Sequence, residues 1–127
     1  LEYPEPQYGA PVLMHVDNYK WLPLDGAPGV SIKAMGVFTD CDIPCAVFRL
    51  DPGASFTPDH RGIYLVLSGR GALEGETFRQ YTALYLDTGE TATFKADEVS
   101  EILQLGMPNV ADMRQGQMPV VHRHAAE

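Results

Sequence analysis

Four histidines and two cysteines are the side chains in this 127-residue sequence best suited to binding a metal or moving a proton. Their spacing narrows what each can do. His60 stands between Asp59 and Arg61 in "PDHRGIYLVLSGRG", at the head of an apolar run. An unperturbed imidazole ionises near pH 6.5, roughly, and so transfers protons at neutral pH. A single imidazole does not hold a labile divalent metal without further ligands. His60 is therefore read as a hydrogen-bonding group or general base, or else as a solvated loop residue. Neighbours in an extended chain point apart, so Asp59 and Arg61 are assigned no contact with it. Cys41 and Cys45, in "CDIPC", would make half of a zinc site, but no second Cys or His pair at a familiar spacing accompanies them. A structural role is expected for both. His122 and His124, in "VVHRHAAE", would share one side of an extended chain, yet a frayed tail is the default so close to a terminus. His15 falls in the apolar segment "VLMHV", where a packed or edge imidazole is expected before a ligand.

The elements that would position these groups are short and β-rich. Eight strand candidates show two-residue periodicity or β-prone composition: "VLMHV" (12–16), "VSIKAMGVF" (30–38), "CAVFRL" (45–50), "IYLVLS" (63–68), "GALEG" (71–75), "ALYLD" (83–87), "TATFK" (91–95) and "EILQLG" (101–106). Between them fall "LDGAPG", "DPG", "SGRG", "EGE" and "DTGE", turn chemistries rich in Gly, Asp and Pro. No stretch carries an amphipathic helical pattern of useful length. Many short strands with frequent turns imply an all-β sandwich or barrel, and an eight-stranded barrel has an interior just able to hold one small ligand.

The length suits one domain with its own core. A net charge of −8 repels phosphate backbones and anionic lipid, and no Lys/Arg cluster overrides it locally, so neither nucleic acid nor membrane is an expected partner. No apolar run approaches the roughly 20 residues that span a bilayer, and "LEYPEPQYG" has neither the basic nor the apolar region of a secretion signal. Cytoplasmic residence is expected. Pro4, Pro6 and Pro11 with Gly9 suit an extended arm that could lie along a sheet edge.

The run 49–106, "RLDPGASFTPDHRGIYLVLSGRGALEGETFRQYTALYLDTGETATFKADEVSEILQLG", resembles the cupin family of small jelly-roll barrels. The preceding "WLPLDGAPGVSIKAMGVF" (21–38) looks like the entry segment of cupins related to zinc anti-sigma factors and ring-cleaving dioxygenases. The "PGA" turn, the "YLVLSGRG" strand and turn, and the "DTGE" turn carry the likeness as a set. It implies an all-β double-stranded β-helix, the cupin barrel, over 21–110, with a short Pro-rich N-terminal arm and first edge strand at 1–20 and a tail at 111–127.

In metal-binding cupins two imidazoles, a carboxylate and a third imidazole converge inside the barrel and leave open positions for substrate. Laid on this sequence, the two first imidazole positions are Asp59 and Arg61, the carboxylate position is Gly62, and the third imidazole position is Ala92. The Gly53 to Gly69 spacing is also shorter than the family's. No metal ligand set is therefore assigned and no cofactor is expected, a divalent metal with unusual ligands being the alternative. If Gly62 faces inward, so do Tyr64 and Val66 by alternation, and Phe94 shares the inward phase with Ala92. Arg49, His60, Tyr64, Val66, Tyr85, Phe94 and Met107 are the candidate ligand-binding residues, with the facing of Arg49, Tyr85 and Met107 open. Three readings follow. The first is a metal-free barrel that binds a small molecule. The second is a metal-independent isomerase or epimerase with His60 as base and Tyr64 as acid, resting on the resemblance. The third is a metal-dependent dioxygenase with an unusual ligand set. A homodimer is expected in each case.

Overall fold

The structure is a computed structural model and describes residues 15–37 and 43–108. Strand alternation builds it. In the segment Gly62–Ser68 each second side chain is buried, which is what a half-buried strand of period two requires. The described strands are Leu22–Pro23 (β1), Val30–Val37 (β2), Pro44–Leu50 (β3), Ser55–Phe56 (β4), Gly62–Ser68 (β5), Gly71–Leu73 (β6), Glu76–Phe78 (β7), Ala83–Leu86 (β8), Phe94–Ala96 (β9) and Ser100–Gly106 (β10). They form a six-stranded sheet, β1-β2-β3-β10-β5-β8, and a four-stranded sheet, β4-β9-β6-β7, with every pairing antiparallel. Among the described residues no helix is long and apolar enough to cross a membrane.

The topology is one long hairpin folded on itself. Its apex is the loop between β6 and β7, where Glu74 and Gly75 both have positive φ, 49° and 85°. Such two-residue loops match the twist of the strands they join. Moving away from that apex, β6 pairs with β7, β5 with β8, β4 with β9 and β3 with β10. The folded hairpin then closes laterally through β5·β10 and β6·β9. This is the jelly roll that the cupin resemblance implies, and one form of the antiparallel sandwich or barrel that the turn spacing implies. One corner depends on a glycine: Gly69, at φ 99°, leads β5 into β6, and a β-carbon there would collide with Ser100.

The interior is graded along the strands. At the floor, Phe48 stacks on Phe56 with ring centres 4.2 Å apart, Phe56 lies 6.3 Å from Phe94, and Phe78 meets Phe94 edge-on at 5.5 Å. Val66, Ile102 and Leu50 complete this apolar packing. Each buried side chain of this size contributes about 1.5–3 kcal/mol relative to exposure. One rung nearer the mouth, Ala46, Gln104, Tyr64 and Leu84 are register neighbours across β3, β10, β5 and β8. At the mouth itself Gly106 opposes Gly62.

Several sequence expectations need correction. The segment at 12–16 is not a strand where it is described: His15 caps a one-turn 3-10 helix, Val16–Asn18, and residues 12–14 lie outside the described chain. Strand β6 stops at Leu73, since the positive φ of Glu74 ends it, and β9 starts only at Phe94. Strands β1, β4 and β7 are two or three residues long and too short to show periodicity.

Candidate functional site

Two polar residues inside the barrel, Tyr64 and Gln104, meet at its mouth, while Ser100 is buried at the other end. Tyr64 is fully buried, with 0% of its surface exposed, and its hydroxyl donates to the His60 carbonyl at 2.7 Å. The Gln104 amide nitrogen donates to the Tyr64 oxygen at 3.1 Å. This order fixes the amide: because the Tyr64 proton is committed to a carbonyl, Gln104 must offer its NH2 to the phenol oxygen. Its own carbonyl is left without a partner among the described residues, in a side chain only 7% exposed. A buried acceptor in that position asks for a ligand or a water. Burial above all pushes the Tyr64 hydroxyl above the usual tyrosine range. The Gln104 donor works against that rise and the nearby charge of Asp59 adds to it.

His60 lies just above, half-buried in the loop that enters β5. Its Nδ1 is 2.8 Å from the Arg61 carbonyl oxygen, which also accepts the Met107 backbone N–H at 2.8 Å. A carbonyl only accepts, so in this contact Nδ1 carries the proton and the neutral ring keeps its lone pair on Nε2. That is the tautomer a base or a ligand acceptor at Nε2 needs.

The remaining candidates divide between mouth, floor and exterior. Val66 and Phe94 face inward as alternation predicts, but at 0% exposure both belong to the packed floor and line no open space. Met107 is half-buried beside the mouth and tied to Arg61 through its backbone. Arg49 is not an interior residue. It alternates with the core residues Phe48 and Leu50, so it faces outward, and its guanidinium lies 4.4 Å from the Trp21 ring centre. Tyr85 likewise faces out, half-exposed, opposite Ile63 on β5. It stands beside Arg61 and, ahead of Asp87, holds that guanidinium's pKa above its usual range. Arg61 also ion-pairs with Asp87 at 3.2 Å and donates to the Pro108 carbonyl at 2.7 Å, a clasp on the outside of the mouth. Gln104 was missed from sequence, although a polar residue in the inward phase of "EILQLG" is the signal that marks it.

A separate cleft of about 590 Å3 opens between the turn at Leu24, Asp25 and Ala27 and the segment through Ala54, Phe56 and Thr57. None of the candidate residues lines it.

The positions that hold a metal in metal-binding cupins do not fit one here. A β-carbon at Gly62 would lie 2.5 Å from the Leu105 carbonyl oxygen and 3.0 Å from Gly106 Cα, so a carboxylate side chain has no room. Ala92 is 5% exposed within the apolar cluster, and Arg61 is engaged with Asp87 and Pro108. Among the described residues no three His, Cys, Asp or Glu side chains converge at metal-binding spacing. Cys41, His122 and His124 lie outside the described chain.

No family model and no curated protein matches the sequence. Solved structures do match. A putative acetylacetone dioxygenase from Methylibium petroleiphilum PM1 superposes with a TM-score of 0.67 at 17% identity, over 79% of this chain and 78% of that one. KdgF from Halomonas sp. gives 0.63 at 21% identity, over 82% and 99%. An RmlC-like cupin from Shewanella frigidimarina NCIMB 400 gives 0.60 at 10% identity, over 82% and 96%. Identities this low speak for architecture and leave chemistry to the site, but three such superpositions on one folded hairpin agree on the architecture. This chain has the cupin fold.

Proposed function

We propose that this chain is a small-molecule-binding cupin barrel that takes its ligand at the mouth, beneath His60, and works without the metal common in this fold. One observation carries the reading: the Gln104 carbonyl, nine-tenths buried next to Tyr64, has no partner among the described residues. A ligand hydroxyl or amide N–H donating to it would meet His60 Nε2 as the next acceptor, and aromatic and aliphatic walls below. The closed Gly62 position and the buried Ala92 methyl support a site with no resident metal.

The isomerase or epimerase reading draws on the same residues and splits them. His60 has the right tautomer for a base at Nε2. Tyr64 is a poor acid in this geometry, because its proton is held by the His60 carbonyl and burial raises its pKa. A proton-transfer enzyme here would rely on His60 alone, with Tyr64 fixing the loop that carries it. The dioxygenase reading, raised by the resemblance and echoed in the names of two structural relatives, needs metal donors that these mouth residues do not supply.

Untagged protein exposed to iron, zinc, manganese and nickel and then freed of excess metal is expected to retain none in stoichiometric amount. Sugars and small acids screened by melting temperature are expected to yield a stabilising ligand whose effect is lost in Gln104→Leu. Near-stoichiometric metal that disappears in His60→Ala would reverse the proposal and put the dioxygenase first.

A further inference from the structure

The outer face of the six-stranded sheet holds an arrangement of charge that the barrel site does not use. Alternation that sends Phe48 and Leu50 into the core sends Val47 and Arg49 out, and the β2 residue opposite Val47 is Lys33. Both cations converge on one ring. Lys33 Nζ lies 4.8 Å from the Trp21 ring centre and the Arg49 guanidinium 4.4 Å from it. Lys33 is only 8% exposed, and one of its three N–H donors goes to the Val16 carbonyl at 3.2 Å. The salt bridges among the described residues are Arg61–Asp87 and Arg70–Glu98, so neither Lys33 nor Arg49 has a carboxylate partner there.

Burial of an ammonium group is costly unless a counter-charge and further hydrogen bonds offset it. A ring face and one carbonyl meet only part of that demand. The chain is strongly acidic, with a net charge of −8, yet among the described residues no acid ion-pairs with either cation. Glu101 is directly across from Arg49 on β10 and on the same face, but it forms no ion pair with it. A guanidinium and an ammonium that share one indole and lack a counter-charge match one chemical group well: a carboxylate, which the guanidinium fork can hold through two hydrogen bonds.

We propose that Lys33, Arg49 and Trp21 form a carboxylate-binding site on the outer face of the sheet, distinct from the barrel mouth. The carboxylate belongs to a small organic acid. Glu101 tunes the site by opposing the incoming negative charge. None of this depends on the ligand proposed for the barrel interior.

Trp21 is the single tryptophan of the sequence, so its emission reports on this site alone. Full-length protein would be titrated with sodium acetate and sodium succinate, against sodium chloride at matched ionic strength. A saturable change in Trp21 emission is expected with the carboxylates and not with chloride. Affinity should fall about tenfold or more in Arg49→Leu and in Lys33→Met, the loss expected for a charge-assisted hydrogen bond, and recover in part in Arg49→Lys. Glu101→Gln should bind more tightly than wild type, an effect that misfolding would not produce. Equal responses to acetate and chloride in the wild type would overturn the proposal.

Discussion

The two ends of the barrel interior are built on different physics. At the floor, Phe48, Phe56, Phe78 and Phe94 interlock through stacked and edge-on contacts, and what holds that end together is filled volume. At the mouth the side chains shrink to Gly62, Gly106 and Ala46 around one hydrogen-bonded pair, Tyr64 and Gln104. Here the determining quantities are hydrogen-bond partners and absent side chains. A tightly packed end secures the barrel, which allows the other end to carry an incompletely satisfied polar group. Removing a ring from the floor should therefore have the largest effect on stability. Phe94→Ala, at the junction of the Phe56 and Phe78 contacts, is expected to cost about 3–5 kcal/mol in denaturant unfolding. A loss below that of the mouth substitutions described next would break the comparison.

The mouth prediction concerns space. Because a β-carbon on Gly62 meets the backbone of β10, Gly62→Ala and Gly62→Glu should each destabilise by about 1–3 kcal/mol, the usual cost of overpacking. More tellingly, Gly62→Glu should not gain metal when assayed beside the wild type. A stable Gly62→Glu protein that takes up zinc or iron would show that this end is roomier than its backbone contacts indicate, and that only a donor was wanting.

The same contrast explains what the sequence disclosed. The inward face was legible because strand alternation and aromatic content are local signals: Tyr64, Val66 and Phe94 all turn inward as their parity requires. The cupin likeness was legible because "PGA", "SGRG" and "DTGE" each mark a corner that only certain residues can turn. Parity also determined that Arg49 faces out, once its neighbours Phe48 and Leu50 were known to face in, but the sequence does not say which of two apolar phases meets the core when Val47 is buried as well. The facing of Tyr85 was open for a related reason: in edge strand β8 both phases carry apolar residues, Ala83 and Tyr85 on one side and Leu84 and Leu86 on the other, and the fold turns the leucines inward. Gln104 could not be ranked from sequence, because its significance comes from Tyr64, forty residues away and adjacent only through the β5·β10 register.

The smallest effect, and the one that reads the mouth most directly, lies in the Tyr64 hydroxyl. Tyr64→Phe removes a donor to the His60 carbonyl and an acceptor for Gln104, leaving two buried groups unpaired for the loss of one atom. A cost of about 1–3 kcal/mol is expected, and a double-mutant cycle with Gln104→Leu should recover part of it, because that change deletes the orphaned amide. Alkaline pH supplies an independent check. The folded-state pKa of Tyr64 is raised above that of the unfolded chain, which is about 10. The folded state thus binds the proton more tightly, so the associated stability is complete below the unfolded pKa and is lost as pH rises through the folded one. Cys45, whose thiol burial pushes up in the same direction, adds a similar loss that starts from its own unfolded pKa and is removed in Cys45→Ala. Denaturation midpoints measured from neutral pH into this alkaline range should fall less steeply for Tyr64→Phe than for wild type in a Cys45→Ala background. Identical slopes would mean that the phenol ionises as freely in the fold as outside it, which a buried, doubly hydrogen-bonded hydroxyl does not permit.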